Sequence, residues 1–87
     1  MRVVCVWRRE SDYGRMMEEW LTEFEQRTGV EVESIDPDGR DGVGFCLAYD
    51  IVEYPTLLAL DNDGAVLDLW KGQSLPTFDE VSYWASR

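Results

Sequence analysis

Apolar residues along this chain fall into runs of different period, and each period predicts a different element. Val3, Val4, Cys5, Val6 and Trp7 form an unbroken apolar run, too short for a helix and rich in β-branched residues. It predicts a central strand buried on both faces. Tyr13, Met16, Met17, Trp20, Leu21 and Phe24 then recur at increments of three, one, three, one and three. That spacing puts all six on one face of a helix, and marks them as core rather than a binding stripe. Ser11 or Asp12 is the expected N-cap of this helix, and Gly29 its left-handed C-terminal cap. Glu23 and Arg27 form a favourable i, i+4 pair on the wet face.

Residues 30–35 alternate well enough for a strand with one exposed face. Residues 36–44 hold three glycines and a proline and read as a turn. Residues 45–50 read as a short helix and residues 56–60 as a second buried strand. Asp61-Asn62-Asp63-Gly64 turns the chain tightly, so residues 65–70 return as a hairpin partner. Thr77 with Glu80 makes a capping box for a last short helix carrying Phe78, Val81 and Trp84. The order is β-α-β-α-β-β-α, with no repeat and no linker, so residues 1–87 read as one domain. The first two strands form a right-handed parallel unit, and the hairpin adds antiparallel strands to the same sheet. The expected fold class is α/β: a four-stranded mixed sheet with helices on both faces, in three layers.

This order, with Tyr54-Pro55-Thr56 just ahead of an apolar strand, resembles the thioredoxin superfamily. Cys5-Val6-Trp7 stands where the family's strand runs into the active-site loop. Ser11-Asp12-Tyr13-Gly14 falls on the Cys-x-x-Cys positions, and residues 49–58 look like the segment leading into the family's cis-proline. Asp63-Gly64 and Gly72 match the hairpin turn and the glycine before the last helix. The resemblance covers nearly the whole chain from Arg2 onward. It lacks the family's extra N-terminal strand and helix, so it implies a minimal version without the dithiol. It also implies that Pro55 is cis and that extended peptides dock in a groove between the degenerate loop and Pro55. Tyr13, Tyr54, Pro55 and Thr56 would line that groove.

Composition narrows the chemistry. Eighteen acidic residues against eight basic ones give a net charge of −10, which repels nucleic acid and anionic lipid and at most favours a basic partner. There is no histidine, so Ser-His-Asp and Cys-His mechanisms are excluded within the chain. The apolar N-terminal run is too short for a signal peptide or a membrane span. Two cysteines form no disulfide framework and cannot ligate a structural zinc alone, so the expectation is a cytoplasmic protein with no cofactor and no metal. The aspartates at 36, 38 and 41, and at 61 and 63, lack the glycine and glutamate spacing of a calcium loop; turn chemistry explains them. Arg8, Arg9 and Arg15 gather near one helix N-terminus, but Glu10 and Asp12 cancel much of their field, and a solvated loop is the reading.

Disulfide exchange needs a thiolate at an exposed helix N-terminus and a second thiol to resolve the intermediate. Ser11 and Gly14 stand at those two places. The reading is therefore a redox-inactive module that binds a peptide or protein partner. The alternative is a thiol-disulfide oxidoreductase using Cys5 and Cys46, and a third possibility is a subunit of a larger assembly.

Overall fold

In a computed structural model, described over residues 1–85, the elements follow the expected order. They are β1 (Arg2–Val6), α1 (Gly14–Thr28), β2 (Val32–Ile35), α2 (Arg40–Tyr49), β3 (Thr56–Leu60), β4 (Val66–Lys71) and α3 (Phe78–Ala85). The sheet runs β2-β1-β3-β4. β1 pairs parallel with β2, setting Val3 opposite Val32. It pairs antiparallel with β3, setting Val3 opposite Ala59, and β3 pairs antiparallel with β4.

The two central strands are apolar because both their faces are covered. Val3, Cys5 and Trp7 point to one side, against Met17, Leu21 and Phe24 of α1 and Val81 of α3. Val4 and Val6 point to the other, against Cys46 of α2 together with Ile51, Leu58 and Leu60. The period-two alternation of a strand thus divides one apolar run between two cores. Trp20 stacks on Phe24 at 5.0 Å, and Phe78 meets both rings edge-on, which ties α3 to α1. Among the described residues, no helix is long and apolar enough to cross a membrane.

Four local readings change. First, α1 starts at Gly14 with Tyr13 as N-cap, and neither Ser11 nor Asp12 caps it. The Ser11 hydroxyl donates instead to the Arg8 carbonyl, and the Gly14 N–H closes a turn onto the Ser11 carbonyl at 3.1 Å. The C-terminal cap is as expected, with Gly29 left-handed at φ 72° and its N–H on the Glu25 carbonyl. Second, β2 begins at Val32 rather than at residue 30. Val30 N–H is held by the Thr28 hydroxyl and Val32 N–H by a Glu25 carboxylate oxygen, so the end of α1 tethers this segment.

Third, residues 40–44 are helical, so α2 is longer than expected at its N-terminal end. Asp36 explains this: its carboxylate accepts the Asp38 N–H and its carbonyl the Gly39 N–H, which completes the turn within four residues. Gly42 is then required by packing, since a Cβ there would lie 1.7 Å from the Asp36 carbonyl oxygen. At its other end α2 stops at Tyr49, with Asp50 as a left-handed cap. Fourth, the hairpin strand is shifted by one residue, to Val66–Lys71. The capping box of α3 is formed as expected: Thr77 N–H donates to Glu80 Oε1 at 3.0 Å, and Glu80 N–H to Thr77 Oγ1 at 3.1 Å.

Candidate functional site

Three segments converge beyond the C-terminal end of β1: the loop from Arg8 to Tyr13, the Asp36–Gly39 turn ahead of α2, and the approach to β3 at residues 53–55. Trp7 N–H still pairs with the Ile35 carbonyl at 3.1 Å, and its indole N–H donates to Ser34 Oγ at 3.1 Å. The chain is therefore anchored up to the point where it leaves the sheet. Arg8 is the first residue beyond the sheet, and it organises the rest.

Arg8 N–H donates to the Tyr13 hydroxyl at 3.0 Å. Its guanidinium makes a bidentate pair with Asp38, with Nε to Oδ2 at 2.7 Å and Nη2 to Oδ1 at 3.1 Å. The same group lies 4.7 Å from the centre of the Tyr54 ring, within cation–π range. One arginine so joins both tyrosines and the turn before α2. The fork geometry suits a carboxylate, which makes Arg8 the natural residue here. Asp38, hydrogen-bonded by that guanidinium, is held below the usual carboxylate range. Both side chains are exposed, so the pair is worth little to global stability and acts locally.

The residues expected to line a groove are brought together, but their accessibility differs. Tyr13 is half-buried against the α1-side core, and Tyr54 half-buried against the α2-side core. Burial pushes the Tyr54 phenol above its usual range, and the neighbouring Cys46 thiol pushes the same way. Pro55 and Thr56 are buried, and the Thr56 hydroxyl donates to the Glu53 carbonyl. The Tyr54–Pro55 bond is cis, and the Pro55 carbonyl accepts the Gly72 N–H at 2.8 Å. Tyr54 N–H and C=O, by contrast, have no backbone partner among the described residues. Asp12 is exposed, and Ser11 and Gly14 are occupied in the turn that opens α1.

Two of the three arginines near the α1 N-terminus are engaged with other groups. Arg8 is committed to Asp38, while Arg9 lies over the Trp7 ring at 5.1 Å and approaches Glu18 at 3.8 Å. The aspartates of the two acidic loops serve turns: Asp61 Oδ1 accepts the N–H groups of Asp63 and Ala65, as Asp36 accepts that of Asp38. Sequence reasoning missed Asp38 as a partner of the loop and Arg8 as its centre. No spacing signals a pair 30 positions apart.

No protein-family model and no curated protein matches this sequence. Among solved structures, thioredoxin 1 of the thermophilic eubacterium Thermosipho africanus TCF52B superposes with a TM-score of 0.71. The match covers 99% of this chain and 91% of that one, at 13% sequence identity. The fold is thioredoxin-like. At that identity the architecture carries over, and function has to be argued from the site.

Within the thioredoxin-like sandwich the two cysteines are free thiols on opposite faces of the sheet. A disulfide needs Cα atoms within ~7 Å and converging Cβ directions; here a whole strand layer separates the side chains. Burial pushes the Cys5 thiol up to about 12. A thiol with a raised folded pKa contributes stability that is complete below the unfolded value of 9.0 and is lost as pH rises towards about 12. Urea titrations above pH 9 are therefore expected to show an extra loss of about 1.4 kcal/mol per pH unit in wild type relative to Cys5→Ala. Identical pH slopes in the two proteins would contradict the burial argument.

Proposed function

We propose that this chain is a thioredoxin-like peptide-binding module that carries out no thiol–disulfide exchange. The observation that carries the reading is the Tyr54 main chain beside Pro55, whose N–H and C=O are left without a backbone partner among the described residues. An extended segment pairing there would gain hydrogen bonds of strand-addition type. Tyr54 and Tyr13, bridged by Arg8, would supply flat amphipathic contact area, a common feature of recognition surfaces. Val52, 83% exposed, and Glu53, also exposed, immediately precede Tyr54 in the chain, so this surface carries an apolar side chain and an acidic rim beside it. With a net charge of −10, that rim favours a protein segment containing lysine or arginine over nucleic acid or an anionic membrane.

The absence of exchange chemistry rests on Ser11 and Gly14 at the mouth of α1. A serine hydroxyl cannot form a disulfide, and glycine offers no side chain. Two free, buried thiols fit a reducing, cytoplasmic compartment. The test has two arms. Insulin reduction in the presence of dithiothreitol is expected to stay at the uncatalysed rate, and turnover abolished by Cys46→Ser would reinstate the oxidoreductase alternative. Pull-downs from native cell extract with wild type and Tyr54→Ala in parallel are expected to differ, with captured segments bound roughly tenfold more weakly by the variant. Identical captures would remove Tyr54 from the binding surface.

A further inference from the structure

Among the described residues both ends of the sheet are open edges, since β2 and β4 each pair with one neighbour. An open edge offers a row of free N–H and C=O groups on which a second chain can build. β4 is the hazardous one: it is six residues long, reads Val-Leu-Asp-Leu-Trp-Lys, and Val66 and Leu67 are exposed. Aspartate is disfavoured in strands, and Asp68 lies near the middle of this one.

Asp68 Oδ1 accepts the Leu69 N–H at 2.8 Å. Leu69 stands opposite Leu58 of β3, yet its N–H turns to a side chain rather than to that strand. In an antiparallel ladder, bonded and non-bonded pairs alternate, so Leu69 is the kind of residue whose N–H and C=O point to the free edge. The second carboxylate oxygen accepts the Trp84 indole N–H at 3.2 Å, which holds the side chain in place from α3. The other edge repeats the arrangement. Trp7 N–H binds the Ile35 carbonyl, so Ile35 and Glu33 face β1 while Val32 and Ser34 face outward, and the outward Val32 N–H is taken by Glu25 Oε1 at 3.0 Å.

We propose that Asp68 closes the β4 edge against antiparallel pairing with a second copy of this chain, with Glu25 doing the same at the shorter β2 edge. With the carboxylate removed, Leu69 pairs with Leu69 of a second copy about a twofold axis perpendicular to the sheet. A perpendicular axis keeps each side chain on its own face, as an isologous edge contact requires. The pairing surface is distinct from the Tyr54 site, so this proposal stands independently of the peptide-binding reading.

The test is sedimentation at roughly 100 µM, where open strand edges associate, in roughly 0.15 M salt, where repulsion between the acidic protomers is screened beyond about 8 Å. Wild type is expected to remain monomeric, while Asp68→Ala and Asp68→Val form dimers at least about tenfold more tightly, a difference of about 1.4 kcal/mol. Exchange of the Leu69 amide is expected to slow in the dimeric variants. Glu31→Ala removes one exposed negative charge away from β4 and is expected to stay monomeric. Folded Asp68 variants that sediment like wild type overturn the proposal. So does dimerisation of Glu31→Ala to the same degree, which would reduce the effect to net charge. Circular dichroism establishes folding, and the valine variant, which favours strand, covers the case in which alanine weakens β4.

Discussion

Introducing a dithiol by the double substitution Ser11→Cys and Gly14→Cys is expected to destabilise the protein by about 3 kcal/mol, near the upper end for overpacking. Most of the effect arises at Gly14. A Cβ built there lies 2.1 Å from the Arg9 carbonyl oxygen and 3.0 Å from the Arg9 carbonyl carbon. These are backbone atoms and cannot swing aside as a side chain would. Relief requires the loop from Arg8 to Tyr13 to move away from α1, which breaks the Ser11–Gly14 turn and displaces the Arg8 N–H from the Tyr13 hydroxyl. Ser11→Cys alone exchanges one small side chain for another and is expected to lose only the hydroxyl's bond to the Arg8 carbonyl, about 1 kcal/mol. Urea denaturation of the single and double variants separates the two contributions. For a domain of this size a 3 kcal/mol loss corresponds to a fall in Tm of roughly 12–24 °C. Equal midpoints for the double variant and Ser11→Cys would show that the loop can yield freely. The same close approach bears on function, because it makes the first residue of α1 a place where a second thiol does not fit without rebuilding the loop.

Phe24→Ala is expected to have the largest effect of any single substitution, about 3–5 kcal/mol, the range for deleting a buried aromatic ring. Phe24 is fully buried, stacks on Trp20 and is met edge-on by Phe78. The three rings join α1 to α3 across one face of the sheet, so the cavity would open between two helices. Small domains have roughly 0.05–0.15 kcal/mol of stability per residue, so a loss of this size brings the chain close to unfolding at room temperature. Phe24→Leu, which refills part of the volume, is expected to recover about half of it. Near-ultraviolet circular dichroism reports the ring packing, and urea midpoints report the energy. An alanine variant losing under about 1 kcal/mol would place the α1–α3 contact outside the stabilising core.

Much of this architecture is written in periodicity. The unbroken run at residues 3–7 identifies a strand buried on both faces, and in the folded chain its alternate residues supply two separate cores. The helical recurrence from Met17 to Phe24, the left-handed Gly29 and the Thr77–Glu80 capping box all act through neighbours within a turn or two, and all appear where the local pattern puts them. The glycines of α2 misled because glycine carries two meanings. Gly42 stands inside a helix since the Asp36 carbonyl passes too close for a Cβ, and that approach belongs to the packed chain rather than to the local sequence. Ser11 is a good N-cap residue by type, yet the turn of which it forms part directs its hydroxyl to Arg8.

The candidate site was legible in part. Tyr13, Tyr54 and Pro55 were drawn together by resemblance, and the fold brings them to the same end of the sheet. Arg8 and Asp38 could not be paired beforehand, because their contact forms only when the β1–α1 loop and the turn ahead of α2 are laid side by side. Asp68 is a similar case: in the sequence it is one more acidic residue, and its place on the Leu69 N–H follows from β4 lying at an edge with α3 beside it.

Local periodicity and turn chemistry thus established the order of elements, the core faces and the lack of cysteine at the mouth of α1, since each depends on residues close in the chain. Three-dimensional packing alone settled which carboxylates meet which donors, which glycines have no room for a side chain, and which face of the sheet each thiol occupies. Those outcomes depend on distances between segments far apart in sequence, and no pattern of neighbouring residues encodes them.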